Sequence, residues 1–220
     1  MGASAGLHHA MRIRPATPDD APCLPAIERS SGAVFRSLPD LAWVADDDVQ
    51  SEACHLDLIA RGKAWVCVDE DDRPTGFLNG HGVGDVFHIL QMAVLHDLQG
   101  RGLGVALIEE AKRFSMSRNM RALTLTTFRD VPWNAPFYRR RGFRILDEHE
   151  LDERLRGILN HEAEAGFPRE RRCAMALVSR TWPGASRAYH RWRPIPAWIK
   201  RSAMGAAANG IFPSGSQAGS

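Results

Sequence analysis

The sequence predicts an α+β fold: a mixed, mostly antiparallel, twisted sheet flanked by helices, in a single domain with a C-terminal extension. Three observations carry this. Residues 64–94 are a nearly unbroken series of strand-like segments separated only by turn formers, which is the texture of an antiparallel run. A glycine-punctuated helix then leads to the β-branched segment Ala122–Phe128, so at least one crossover helix interrupts that run. The elements do not alternate strictly as strand and helix, which excludes a regular doubly wound parallel sheet.

The elements follow in order. Residues 1–10 read as a flexible leader. Met11–Arg14 alternates apolar and basic residues and is expected to be a short strand. Asp19 or Asp20 can cap a helix over Ala21–Ser30, with Pro22 in its first turn. The segment after it is irregular until a second helix over Val49–Ala60, stopped by Gly62. Strands are expected at Ala64–Val68, Pro74–Gly80 and Val86–Val94, with "DEDDR" and "GHGVGD" as the turns. A helix runs from about Leu103 to Ser117, and the strand Ala122–Phe128 follows. "NAPFYRRRGF" carries its own boundaries: Asn134 as N-cap, Pro136 in the first turn, three arginines at the C-terminal end and Gly142 at the left-handed stop. Phe143–Leu146 is a strand, "ELDERLRGILNHEAEAG" a surface helix and "RCAMALVS" a last strand, so one domain spans 11–180.

Composition narrows the function. Hydrophobic residues make up 44% and charged residues 25% of 220 residues, and the net charge is only +2, so the chain as a whole is no polyelectrolyte binder. Cys23, Cys54, Cys67 and Cys173 are scattered without a Cys-x-x-Cys pair, which fits a reducing cytoplasm and argues against a zinc or redox motif. No apolar run reaches the roughly 20 residues of a membrane span. No metal is expected, since "His161-Glu162" lacks the second histidine of a zinc-protease helix. Residues 181–220 form a basic, tryptophan-bearing extension ending in a Gly/Ala/Ser-rich tail that is expected to be disordered. Pro183, Pro194 and Pro196 interrupt any amphipathic helix there, so packing on the domain or on a second subunit is favoured over nucleic-acid or membrane contact, and a homodimer stays open.

The chemistry is concentrated in "MAVLHDLQGRGLGVALIEEA". Gly100, Gly102 and Gly104 precede a helix whose first backbone N–H groups have no partner of their own. Glycine lets an anion approach those groups, and Arg101 and the positive helix end attract it. A P-loop is excluded, because no Gly-Lys-Ser/Thr follows, and a dinucleotide fingerprint fits poorly, because the spacing is Gly-x-Gly-x-Gly after an antiparallel strand. By itself this spacing serves equally a glycine turn packed on a strand.

The surrounding residues decide between them. Gln99-Gly100-Arg101-Gly102-Leu103-Gly104 is similar to the Gln/Arg-x-x-Gly-x-Gly/Ala motif of the GNAT superfamily of N-acetyltransferases. "NAPFYRRRGF" resembles that family's second signature, with Asn134, Tyr138, Gly142 and Phe143 in family positions but two residues fewer after the asparagine. The string "LTLTTFRDVPWNAPFY" resembles one bacterial branch of the family.

The resemblance implies acetyl-CoA as acyl donor and a small amine or a peptide amine as acceptor. It implies that Met92, Ala93 and Val94 splay from the neighbouring strand and hold the pantetheine arm, with the Val94 N–H polarising the thioester carbonyl. Gln99, Gly100, Arg101, Gly102, Leu103 and Gly104 would hold the pyrophosphate. Tyr138 matches the family's acid for the leaving thiolate, and Asn134 either contacts the cofactor or only caps its helix. The base is the gap, for many members carry a glutamate in the strand before the loop and "VFHILQMAV" has none. His88 and Gln91 are the polar candidates, on opposite faces if strand alternation holds, and Asp130 is a third. Phe35 and Arg36, with the hairpin near His81, are expected at the acceptor by analogy with the fold. An acyl-CoA-binding regulatory module without catalysis is the alternative function, motivated by the missing glutamate.

Overall fold

The computed structural model describes residues 12–178. The expectations for the leader at 1–10 and for the extension at 181–220 lie outside the described residues. Seven strands, β1 (Arg12–Pro15), β2 (Lys63–Val68), β3 (Pro74–Val83), β4 (Val86–Val94), β5 (Ala122–Phe128), β6 (Arg144–Ile145) and β7 (Arg172–Val178), form one sheet in the order β1-β2-β3-β4-β5-β7-β6. Every neighbouring pair is antiparallel except β4 and β5, which α3 (Leu103–Ser117) connects as the crossover. This is the mixed, mostly antiparallel sheet that the sequence predicts.

The remaining helices are α1 (Leu24–Gly32), α2 (Glu52–Arg61), α4 (Ala135–Arg139) and α5 (Glu153–Glu164). The first expected helix begins instead as a 3-10 stretch over Pro18–Cys23, and α1 starts only at Leu24. Pro22 and Pro25 supply no backbone N–H, so the tighter turn carries the chain until a regular ladder can begin. β3 continues to Val83 through most of the expected "GHGVGD" turn, and the reversal is confined to Gly84 and Asp85, with Gly84 at φ +59°. Gly80 is a close-packing glycine and not a turn residue: a Cβ there would run into His88 O and the Phe87 ring.

Strand alternation assigns the two faces. Leu123 and Leu125 of β5 join Leu103, Leu107 and Ile108 of α3 in the largest core cluster, with Phe137 and Tyr138 of α4 against it. Their neighbours Thr124 and Thr126 turn to the opposite face and bond Arg154 and Glu162 of α5. α1 lies on that second face too, where Leu24 and Ile27 pack on Phe77 and Ala93.

Two irregularities in β4 open the sheet. Gly80 faces Ile89 but Asn79 faces Gln91, so Leu90 is an extra residue, a β-bulge. Registered pairing with β5 covers only Val86–His88, although β4 runs to Val94 and β5 to Phe128. Beyond His88 the two parallel strands diverge, leaving a gap in the middle of the sheet.

Candidate active site

The gap lies in one cavity of about 700 Å³. On the α3 face its wall includes Gly100, Gly102, Leu103, Gly104, Asn134, Phe137 and Tyr138, and on the other face Ser31, Val34, Phe35, Gln91, Thr126 and Arg172. Met92, Ala93 and Val94 line the gap itself. The Leu95 N–H bonds Thr75 O at the start of β3, at 2.9 Å. Backbone groups of successive strand residues point to alternate edges, so the Val94 and Met92 N–H groups face the gap.

At the N-terminus of α3, Gly100 and Gly102 take φ of +77° and +88°, and Gly102 caps the helix without any side-chain hydrogen bond. A Cβ on either would meet nothing within 4 Å, so these glycines are required by conformation and not by space. Gly104 has an ordinary backbone, and a Cβ there would touch only the Phe137 ring at 3.4 Å and Met92 Cε at 3.6 Å. The first N–H groups of α3 are thus presented toward the cavity with no side chain over them. Arg140 and Arg141 of the α4 end also line it, Arg141 stacked on Phe137 at 4.0 Å. Bare helix N–H groups and two guanidinium groups fit the diphosphate of coenzyme A.

The expected residues divide. Gln99 lines the cavity, but its amide is spent on structure, donating to Val94 O at 3.2 Å and to Ser31 O and Oγ at 3.3 Å. Asn134 does not cap α4 with its side chain. Its Nδ2 donates to Thr127 Oγ1 at 2.8 Å, joining α4 to β5, while its backbone carbonyl starts the helix. Tyr138 lines the cavity, its ring held by Phe137 at 5.1 Å and Phe143 at 5.7 Å. Burial pushes its hydroxyl up to about 12, with the Arg172 charge opposing, so it stays protonated near neutrality.

Arg101 is exposed and does not line the cavity. Arg36 also lies outside it, exposed and paired with Asp46, because the 3-10 turn Ala33–Ser37 sends Phe35 inward and Arg36 outward. Asp130 lies outside it as well, half-exposed beside Arg171. His88 is fully buried against α5, with Nδ1 2.9 Å from Thr124 Oγ1 and its ring 5.9 Å from that of His81. Burial and the Arg154 charge hold it well below its usual range, and neither histidine lines the cavity. The bulge at Leu90 also corrects the alternation, since His88 and Gln91 share a face after all.

Gln91 is the polar candidate that reaches the cavity, and behind it stands an acid that sequence reasoning missed. The Gln91 amide donates to Glu28 Oε1 at 2.8 Å, and the Gln50 N–H donates to Glu28 Oε2 at 3.1 Å. Glu28 is fully buried on α1, and desolvation pushes its carboxyl up to about 8 against those two bonds. His55 Nε2 lies 3.9 Å from Glu28 Oε2, too far for a hydrogen bond, and burial lowers that imidazole to about 4. In the sequence Glu28 looks like any helix-surface acid, and only the packing of α1 over β4 reveals it. Arg172, equally unremarked in the sequence, is fully buried in the wall and donates from Nε and Nη2 to Glu162 at 2.8 and 3.1 Å. Among the described residues no cluster of three His, Cys, Asp or Glu could hold a metal, and no helix is long and apolar enough to cross a membrane.

Comparison with known proteins agrees with this geometry. The fold is similar to that of the PaiA N-acetyltransferase from Thermoplasma acidophilum, solved in complex with coenzyme A, at a TM-score of 0.57 and 16% identity over 77% of this chain and 99% of that one. It is also similar to the ribosomal-protein-S18-alanine N-acetyltransferase from Escherichia coli, at 0.56 and 18% identity over 80% and 99%. Ard1 from Thermoplasma volcanium matches at 0.55 and 20% identity over 77% and 97%. The family model of the GNAT acetyltransferases matches residues 34–143, half of the chain, and includes both signature segments. A split sheet, a bare helix N-terminus at the split and this sequence match lead to one conclusion: the chain belongs to the GNAT family of acetyltransferases.

Proposed function

We propose that this acetyltransferase acts on a primary amine of a small molecule or a peptide, with acetyl-CoA held across the gap between β4 and β5. The observation that carries the reading is the continuous cavity, which joins the bare N-terminus of α3 to Gln91 and Arg172 through the splayed strands. Acetyl-CoA supplies an activated thioester: the amine nitrogen bonds the carbonyl carbon, the C–S bond breaks, and a proton is left over for the sulfur. The Val94 N–H faces the gap and acts as the donor to the thioester carbonyl oxygen, where negative charge develops. Tyr138 donates a hydrogen bond to the departing sulfur. With its hydroxyl near 12 and a thiol near about 8.5, full transfer of its own proton is uphill, so it stabilises the sulfur while the amine's surplus proton supplies the balance.

No Asp, Glu, His or Lys lines the cavity among the described residues, so no side chain that can take up a proton touches the amine. Gln91, anchored by Glu28, orients the amine, and the deprotonated fraction of the amine reacts. An alkylamine near about 10.4 is then limited by its small neutral fraction, and the rate should climb with pH up to that value. The same reading assigns a cytoplasmic location, supported by four free cysteines, two of them fully buried.

A thiol-release assay with acetyl-CoA across alkylamines, amino acids, aminoglycosides and peptide N-termini tests the proposal, with release expected for at least one class. No release from any class, while acetyl-CoA still raises the melting temperature, would instead support a binding module that has lost catalysis. That no acid lines the cavity among the described residues is the observation that favours that second reading.

A further inference from the structure

The cavity wall on the α1 and α5 face holds two hydrogen-bond donors that nothing among the described residues satisfies. Arg172 pairs with Glu162 through its Nε and Nη2 edge, which turns Nη1 away from that carboxylate. Nη1 is buried without a partner among the described residues. The guanidinium cannot swing to find one, since it is stacked on the Phe128 ring at 4.7 Å and the Phe167 ring at 5.5 Å. The Trp133 Nε1 is the second orphan, buried and unbonded in the same wall. Phe35 ties the two together, its ring 5.6 Å from Phe128 and 5.7 Å from Trp133. Buried donors left unpaired are costly, so a wall that keeps two of them is complementary to an oxygen-rich group.

Charge points the same way. The charged residues of the wall are all arginines, and no carboxylate lines the cavity among the described residues. A polycationic acceptor would find no counter-ion there, whereas an anionic one would meet the Nη1 edge of Arg172, with Arg140 and Arg141 taken by the diphosphate.

We propose that Arg172 Nη1 and Trp133 Nε1 form a carboxylate subsite, so that the acceptor is an amine that also carries a carboxylate, as an amino acid does, and not a polyamine or an aminoglycoside. The inference rests on the acetyl-transfer reading for the amine end, but the subsite itself is a matter of binding. The test titrates ω-amino carboxylates of increasing length into the CoA-loaded full chain by calorimetry. Each is compared with its carboxamide and with the alkylamine lacking the group, and the same set is run in the thiol-release assay. One member of the carboxylate series should bind about 10- to 100-fold more tightly than both its neutral counterparts, the range of a charge-assisted hydrogen bond. Trp133→Phe, which keeps the ring and removes the N–H, should reduce that preference several-fold. Arg172→Met combined with Glu162→Gln, which leaves no unpaired buried charge, should abolish it while CoA binding persists.

Equal binding of carboxylate and carboxamide, or tighter binding of spermidine, would overturn the subsite whether or not thiol is released. Should the double variant fail to fold, the wild-type series and Trp133→Phe still decide. Selective carboxylate binding without thiol release would leave the subsite standing and remove the acetyl-transfer reading instead.

Discussion

At the residue scale, Glu28 and Tyr138 show how burial sets the chemistry of a site. Glu28 is protonated over much of the neutral range because α1 removes it from water, with a carboxyl near 8, and Asp47 beside it is raised to about 7 for the same reason. A carboxyl raised in the folded state keeps its proton where the unfolded chain has lost it, so stability falls as pH climbs through that window. The buried His55 and His81, both lowered to about 4, act in the opposite direction, but only below the ordinary histidine range near about 6.5. Between about pH 6.5 and 8 these two acids are the shifted groups that act among the described residues, and the melting temperature should fall. In Glu28→Gln, which mimics the protonated acid, that decline should flatten, as a thermal melt at several pH values would reveal. An unchanged slope would mean that Glu28 is already ionised. Tyr138→Phe should lower kcat about 100-fold with little change in KM for acetyl-CoA, because only the developing charge on sulfur needs the hydroxyl.

At the element scale, the loop before α3 separates two kinds of glycine. Gly102 sits at φ +88°, where a side chain is strained, while Gly104 needs only room. Gly102→Ala should therefore lose roughly 1–3 kcal/mol of stability and weaken acetyl-CoA binding, while Gly104→Ala should be tolerated on both measures. Thermal melts and titration calorimetry of the pair would check this. Asn134 teaches the same caution from the other side. Its position before Ala135-Pro136 is that of an N-cap, but a cap needs its side chain turned back to the helix, and Thr127 holds it instead. Arg140 and Arg141 likewise read as complements to the dipole of a helix that is only five residues long. Their place in the cavity wall gives them a second use that the charge pattern did not disclose.

At the scale of the whole molecule, the gap between β4 and β5 is a weakness built into the sheet. Three registered pairs join the strands at one end, and among the described residues the rest of each edge has no registered partner across the gap. A ligand that fills the gap supplies those contacts, so acetyl-CoA should stabilise the fold by about 2.7 kcal/mol at a hundredfold excess over its Kd. Hydrogen exchange should localise the effect, with the Met92 and Val94 amides exchanging quickly alone and slowly with CoA. Equal protection in both states would contradict the assignment of the gap to the pantetheine arm.

The sheet, its crossover and the glycine loop were legible in the sequence because they rest on local rules. Period-two patterning, β-branched runs, Gly and Pro at turns, and two short signatures each act within a dozen residues. The base was not legible. The strand "VFHILQMAV" holds no acid and offers only His88, which the fold buries against α5, and Gln91, which the fold presents to the cavity because one extra residue at Leu90 resets the alternation. Glu28 lies 63 residues before Gln91, and Arg172 follows Thr126 by 46 residues, with Glu162 bonded to both. No local pattern links positions so far apart. Patterning along the chain was sufficient for the framework, whereas the site's charges and orphaned donors came into being only when α1 and α5 closed over the two halves of a split sheet. Desolvation and hydrogen-bond satisfaction are properties of the space between elements, and a sequence read in order does not contain that space.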